Sequence, residues 1–166
     1  MNIIVDCEAS GPCPTMGDLI EFAAITETGE TFLSAKFPPI FANFDQGAYN
    51  ALTLTREQHQ AYIGSFVAEA KRFSEWLSQF DRPIFWSDNP AFDWQWINWL
   101  MHTYEGRNPF GFSARRIGDL YAGCNGNIRD HSSWKKFRIT KHTHDPLDDV
   151  RGNLEAFLEI RKRHGI

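Results

Sequence analysis

Cysteine is scarce in this chain, and what there is does not pair. Cys7, Cys13 and Cys124 are odd in number, and no two make a Cys-x-x-Cys motif, which excludes a disulfide framework and a thiolate metal site. They read as reduced thiols, and the expected location is cytoplasmic. The opening "MNIIVDCEAS" has no basic start, and Asp6 breaks its apolar run, so it is not expected to act as a secretory leader. Long hydrophobic runs are missing too. The densest, "DWQWINWLM", is too short for a bilayer and carries Asp93, so no membrane partner is expected. Internal repeats, low-complexity tracts and linkers are all absent, and residues 1–166 are expected to form one domain. Positive charge is in short supply: 17 Lys and Arg face 21 Asp and Glu, for a net charge of −4 and a pI near 5.8. That argues against a protein that binds polyanions with its whole surface.

What is present is a folding composition. Hydrophobic residues make up 42% of the chain and aromatics 14%, with six Trp, enough for one ordinary core. The charge is unevenly spread. Between Arg115 and Lys141 stand seven basic residues (Arg115, Arg116, Arg129, Lys135, Lys136, Arg138, Lys141) and two acids (Asp119, Asp130). Such a stretch reads either as a solvated loop or as a local phosphate-binding surface on an acidic body.

Periodicity sets the expected elements. "NIIVD" (2–6), "LIEFAAITET" (19–28) and "TFLSAKF" (31–37) read as three strands, the last two joined by a hairpin at Gly29. "PPIFANFDQGAYN" reads as loop. A helix starts at about Thr55 or Ser65 and runs to Phe80, with Phe66, Ala70, Phe73, Leu77 and Phe80 at helical spacing. "RPIFWS" (82–87) is a fourth strand and "AFDWQWINWLMHTY" (91–104) a second helix. "ARRIGDLYAG" reads as a short helix, 123–143 as mostly loop, and 146–163 as the final helix. Three strands followed by alternating helices and strand predict an α/β domain. Its mixed sheet begins with an antiparallel three-strand meander and is flanked by helices.

The carboxylates are the informative residues. In "VDCEAS", Asp6 and Glu8 lie two apart at a strand end, so both side chains point to the same side, with Cys7 opposite. Adjacent carboxylates repel unless a proton or cation separates them, and a hard divalent ion is the natural partner. In "SDNPAFDWQW", Asp88 or Asn89 can cap the helix, and Asp93 sits in its first turn. Asp93 is either a dipole partner or a member of the crevice where strand ends and helix starts converge. In "KHTHDPLDDV", Asp145 is a good N-cap with Pro146 at the first helical position, and Asp148 suits the helix dipole. Capping leaves Asp149 unexplained. It shares a face with Gly152, Asn153 and Ala156, and a carboxylate above small residues can approach a sheet.

In order, Asp-x-Glu, Asn-x-x-Phe-Asp and His-x-x-x-x-Asp occur here as "DCE", "NPAFD" and "HDPLDD", spanning residues 6 to 149. The chain thereby resembles the DEDD exonucleases of the DEDDh subgroup, and its size and basic stretch resemble the short RNase T-like exoribonucleases. The resemblance implies an RNase H-like fold, two Mg²⁺ (or Mn²⁺) ions and 3′–5′ release of nucleoside 5′-monophosphates from a single strand with a free 3′ end. Asp6, Glu8, Asp93 and Asp149 match the metal ligands, and His144 matches the general base. RNA is the expected substrate, with DNA as the alternative, and a homodimer is plausible. His142 does not fit the His-to-Asp spacing and reads as a neighbour in reach of phosphate. Expected nucleic-acid contacts are Ser10, Arg115, Arg116, Lys135, Lys136 and Arg138. Trp134 or Phe112 would stack a base unless either belongs to the core. Three other readings compete: an RNase H-type endonuclease, a non-catalytic nucleic-acid-binding module, and a structural domain whose acids only cap helices. The last explains Asp145 and Asp148 well, but not the Asp6–Glu8 pair.

Overall fold

A computed structural model describes residues 1–166. The expected meander forms from β1 (Asn2–Ala9), β2 (Leu19–Thr26) and β3 (Thr31–Leu33). β1 and β2 run antiparallel with Ile4 opposite Ile25 and Glu8 opposite Glu21, and Ala24 of β2 faces Phe32 of β3. Gly29 takes a φ of 93° in the connection between β2 and β3, a backbone region open to glycine and costly for most side chains. β4 (Ile84–Ser87) then lies parallel to β1, and β5 (Ala114–Arg116) parallel to β4, for a sheet order of β3-β2-β1-β4-β5.

Helices cover both faces, which is why β1 and β2 read as continuous apolar runs. Ile3, Val5 and Cys7, with Phe22 and Ala24, face α3 (Phe66–Leu77) and α4 (Pro90–Tyr104). Ile4, Ala23 and Ile25 face α5 (Ile117–Cys124) and α6 (Pro146–His164). Strand alternation carries the second set on through Asp6 and Glu8, so the two acids share the α6 face of the sheet. No helix is long and apolar enough to cross a membrane.

Several boundaries differ from the sequence reading. β1 runs on to Ala9 rather than stopping at Asp6, because β2 pairs with it as far as Glu8 and beyond a bulge. Thr55 and Ser65 both cap helices: α2 (Arg56–Gln60), with a capping box from Gln58, and α3, which ends at Leu77. The stretch read as loop after Pro38 contains α1 (Gln46–Ala51), started by Asp45, whose carboxylate accepts from the Gly47 amide at 2.6 Å. Residues 114–116 are strand rather than helix. Three residues on a sheet edge carry no periodicity of their own, and only the neighbouring β4 makes them extended. A 3₁₀ turn (Ser133–Phe137) interrupts the loop before α6.

Candidate active site

Two strand ends, the start of α4 and the segment just before α6 converge on one cavity of about 290 Å³. β1 brings Asp6 and Glu8. The end of β4 leads into Asp88. The first turn of α4 brings Asp93, docked by the Cys7 amide, which donates to Asp93 Oδ1 at 3.0 Å. The first turn of α6 brings Asp149, fully buried above Gly152, Asn153 and Ala156, as its helical face required. Two sets of carboxylates place ligand oxygens within 4.8 Å of one another: Asp6 with Asp88 and Asp93, and Asp6 with Glu8 and Asp149. Asp6 is the member common to both.

This much negative charge in one buried place is costly. Burial raises the Asp6 carboxyl well above the usual carboxylate range, and Asp93, Glu8 and Asp149 push it further. Burial, then Asp149 and Asp93, push Glu8 up to about 8. Burial and then Asp88 raise Asp93. Asp93 Oδ2 is moreover buried without a hydrogen-bond partner. An all-oxygen donor set, mutual repulsion and an orphaned buried acceptor fit divalent metal ions, which the cluster can hold.

The raised values set the pH dependence of the metal-free fold. A carboxyl that holds its proton more tightly when folded favours the folded state below its unfolded pKa. That advantage fades as pH rises through the folded value, about 8 for Glu8. Thermal melts in EDTA are therefore expected to show a melting temperature that falls between about pH 5 and pH 8.5. Added Mg²⁺ should restore more of it at pH 8 than at pH 5.5, where protons compete for the same oxygens. A flat profile in EDTA would contradict the repulsion described.

A strap of chain, residues 138–144, lies along α6 and completes the site. Ile139 and Thr140 amides each donate to Glu155 at 2.7 Å. Asp149 Oδ1 accepts from Arg138 at 2.7 Å and from the Thr143 amide at 3.3 Å, with His142 Nδ1 at 2.8 Å, while Oδ2 accepts from the His144 amide at 3.1 Å. His144 adopts a left-handed φ of 59°. Its ring stands over the cavity, partly exposed, with Nδ1 3.9 Å from Glu8 Oε1 and the His142 ring 4.3 Å away. The strap fits only because α6 carries Gly152 there. A Cβ at that position would lie 2.5 Å from Arg138 Nε and 2.6 Å from the Thr140 carbonyl. Gly152→Ala is expected to destabilise the protein by about 1–3 kcal/mol through overpacking and to loosen metal binding, both readable by melts with and without Mn²⁺.

The structure brings together the five residues matched to the family motifs and separates most of the expected nucleic-acid contacts. Lys135 stays at the rim, its Nζ 3.1 Å from Asp88 Oδ2, and Arg116 Nε donates to the Asp88 carbonyl at 3.1 Å. Lys136 packs on Tyr121 and Phe137 instead. Arg115 lies over the Trp86 ring, in a depression shared with Arg161 near the far end of α6. Arg138 is not a free phosphate contact, because its guanidinium is buried against Asp149. Trp134 is core, 1% exposed, with its indole N–H on the His131 carbonyl, so it cannot stack a base. Phe112 is 92% exposed but lines no wall of the cavity. Ser10 is also buried. Its hydroxyl accepts from the Asp18 amide at 2.9 Å and its carbonyl from the Asp45 amide at 2.6 Å, so it anchors the start of α1 and does not meet substrate. Sequence reasoning had Asp88 only as a helix cap. Asn89 is the N-cap, without a side-chain bond, and Asp88 turns into the acidic cluster. The available signal was its place just past a buried strand, where α/β sheets gather ligands.

Comparison with known proteins agrees with this geometry. No family model matches the chain. The chain is 30% identical to the 3′-5′ DNA exonuclease Cap18 of Escherichia coli, over 96% of this chain and 91% of that protein. Among solved structures, the nuclease domain of 3′hExo, a DEDDh family member bound to rAMP, superposes with a TM-score of 0.73. The match is 16% identical and covers 98% of this chain and 92% of that one. The E. coli ExoI–ssDNA complex superposes with a TM-score of 0.67 at 17% identity, covering 99% of this chain and 41% of the larger one. The sheet and its flanking helices are thus the RNase H-like fold of these nucleases. On its sequence relationship, which holds over nearly the whole length, the chain belongs to the DEDDh family of 3′–5′ exonucleases.

Proposed function

We propose that this 3′–5′ exonuclease degrades single-stranded DNA, with Asp6, Glu8, Asp93 and Asp149 as ligands for two Mg²⁺ or Mn²⁺ ions and His144 as general base. The observation that carries the reading is that Asp6, Glu8, Asp93 and His144 line one cavity while the buried Asp149 brings a ligand oxygen to Asp6 and Glu8, with Asp6 common to both carboxylate sets. DNA replaces RNA as the preferred substrate because a relative 30% identical over 96% of this chain is a DNA exonuclease.

Ions held there supply an activated water and neutralise charge at the phosphate and the leaving oxygen. The protein's own residues do the rest. Asp6, Glu8, Asp93 and Asp149 would hold those cations, whose charge would let a pocket that is repulsive by itself accept a phosphate. Ala48, Ala51, Leu52 and Phe92 form an apolar wall against which the terminal sugar and base can rest. His144, above Glu8 and hydrogen-bonded only through its backbone, is placed to take the proton of the attacking water. Arg138 and His142 hold Asp149 by Oδ1, which leaves Oδ2 directed by the His144 amide.

The test is a 5′-labelled strand of DNA and of RNA of matched sequence, incubated with Mg²⁺, Mn²⁺ or EDTA. Expected is a ladder that shortens from the 3′ end, faster on DNA, absent in EDTA and stopped by a blocked 3′ end. Cleavage of the blocked strand would instead indicate an endonuclease. Binding without shortening would indicate a non-catalytic module.

A further inference from the structure

The catalytic cavity does not end at His144. It shares Glu8, Leu52 and His144 with a narrow depression lined by Ile20, Glu21, Lys36 and Tyr62, which in turn shares Lys36 and Tyr62 with an open groove running to Ile63 and Ser65. We infer that this groove binds the nucleotides just upstream of the 3′ end, with Lys36 on the backbone phosphate and Tyr62 and Ile63 against the bases. The inference rests on the exonuclease reading and adds the path of the strand.

Four observations support it. First, the direction is set by the sheet. Glu8 on β1 faces Glu21 on β2, and the segment carrying Lys36 runs beside β2, with the Phe37 amide on the Ile20 carbonyl at 2.8 Å. Two strand spacings, about 10 Å, therefore separate Glu8 from Lys36, within reach of the next nucleotides. Second, the chemistry suits a single strand. The Lys36 ammonium is half-exposed, 3.6 Å from Glu21 and 5.7 Å from the centre of the Tyr62 ring. A cation beside an aromatic face is how single strands are held without a sequence code. Glu21, the one carboxylate in this stretch of the path beyond Glu8, is buried beneath that lysine. Third, Ile63 is 96% exposed, more than any other large apolar side chain in the protein. Fourth, it does not sit on a loose loop. The Gly64 amide donates to the Lys36 carbonyl at 2.9 Å, and a Cβ on Gly64 would lie 2.5 Å from that oxygen, so the 61–65 turn is seated directly on the Lys36 segment. An apolar side chain presented to solvent by a seated turn, beside a tyrosine and a lysine, is suited to meet a base.

The competing path leaves the cavity on the side of Lys135 and Arg116, which are engaged with Asp88 as Lys36 is with Glu21. The two are separated with Lys36→Ala, Tyr62→Ala and Ile63→Ser against Lys135→Ala. Two assays apply: turnover of a 12-nucleotide strand and of a dinucleotide with the same 3′ end, and anisotropy of the 12-mer bound with Ca²⁺. Lys36 and Ile63 are solvent-exposed, so their variants report on binding even if Tyr62→Ala folds poorly. Expected for each groove variant is a rise in KM on the 12-mer about tenfold larger than on the dinucleotide, with kcat nearly constant and weaker binding by anisotropy. Equal KM changes on both substrates, or a larger length-dependent penalty for Lys135→Ala, would overturn the groove. If the wild type binds the 12-mer without cutting it, the nuclease reading fails, and anisotropy of the variants still decides the groove.

Discussion

Asp6→Asn is expected to reduce cleavage about 10³-fold or more and, in EDTA, to raise the melting temperature. Loss of activity follows from position: Asp6 is the only residue in both carboxylate sets, so its removal weakens both candidate ion sites at once. Losing several kcal/mol of charge stabilisation corresponds to at least three orders of magnitude in rate. The gain in stability follows from the same geometry. The Asp6 carboxyl is buried among Asp93, Glu8 and Asp149, and a neutral amide of the same shape ends that repulsion. A few degrees of Tm is the expected scale. Mg²⁺ should then stabilise the variant less than the wild type. Asp145→Asn is the control, since Asn caps helices as well as Asp does, and neither effect should occur there. An Asp6→Asn protein active within tenfold of wild type would remove Asp6 from the site.

His144→Ala is expected to lower kcat by 10²–10⁴-fold, the range for loss of a general acid or base. Mn²⁺ affinity should be nearly unchanged, because the side chain makes no hydrogen bond to the carboxylates. The backbone at His144 is left-handed, a conformation Asn adopts at less cost than Ala. His144→Asn therefore isolates the imidazole, and an equal loss in both variants assigns the effect to the ring. His142→Ala should behave differently. His142 lines the same cavity but its Nδ1 is bound to Asp149, so its loss should act through metal affinity, about 10–100-fold, and should be relieved by excess Mn²⁺. If metal excess rescues His144→Ala and not His142→Ala, the two roles are exchanged.

Local patterns of a few residues predicted what depends on few residues. Alternation along a strand placed Asp6 and Glu8 on one side and Cys7 on the other, and the chain folds that way. Asp145 and Pro146 marked the start of α6, and the helical repeat then put Asp149 on the buried face with Gly152 and Ala156. Motif order was enough for the family, since strand, helix and helix carry their acids at fixed offsets. The expectations that failed concern single side chains whose surroundings come from elsewhere in the chain. Trp134 and Ser10 looked available and are buried. Arg138 looked like a free cation and is the partner of Asp149. Asp88 looked like a cap and joins the cluster.

The amino-acid sequence by itself thus determined the fold class and the two-faced burial of β1 and β2, because strand alternation, helical spacing and capping act between near neighbours, while the five motif residues were singled out by resemblance to the family. Only the tertiary structure decided which other charges meet them. The Cys7 amide reaches Asp93 across 86 positions of chain, and Arg138 finds Asp149 because Gly152 leaves room. The 3′-end groove likewise exists only where Lys36 is packed against Gly64. Each of these depends on parallel pairing or close backbone approach, and neither leaves a periodic trace in the sequence.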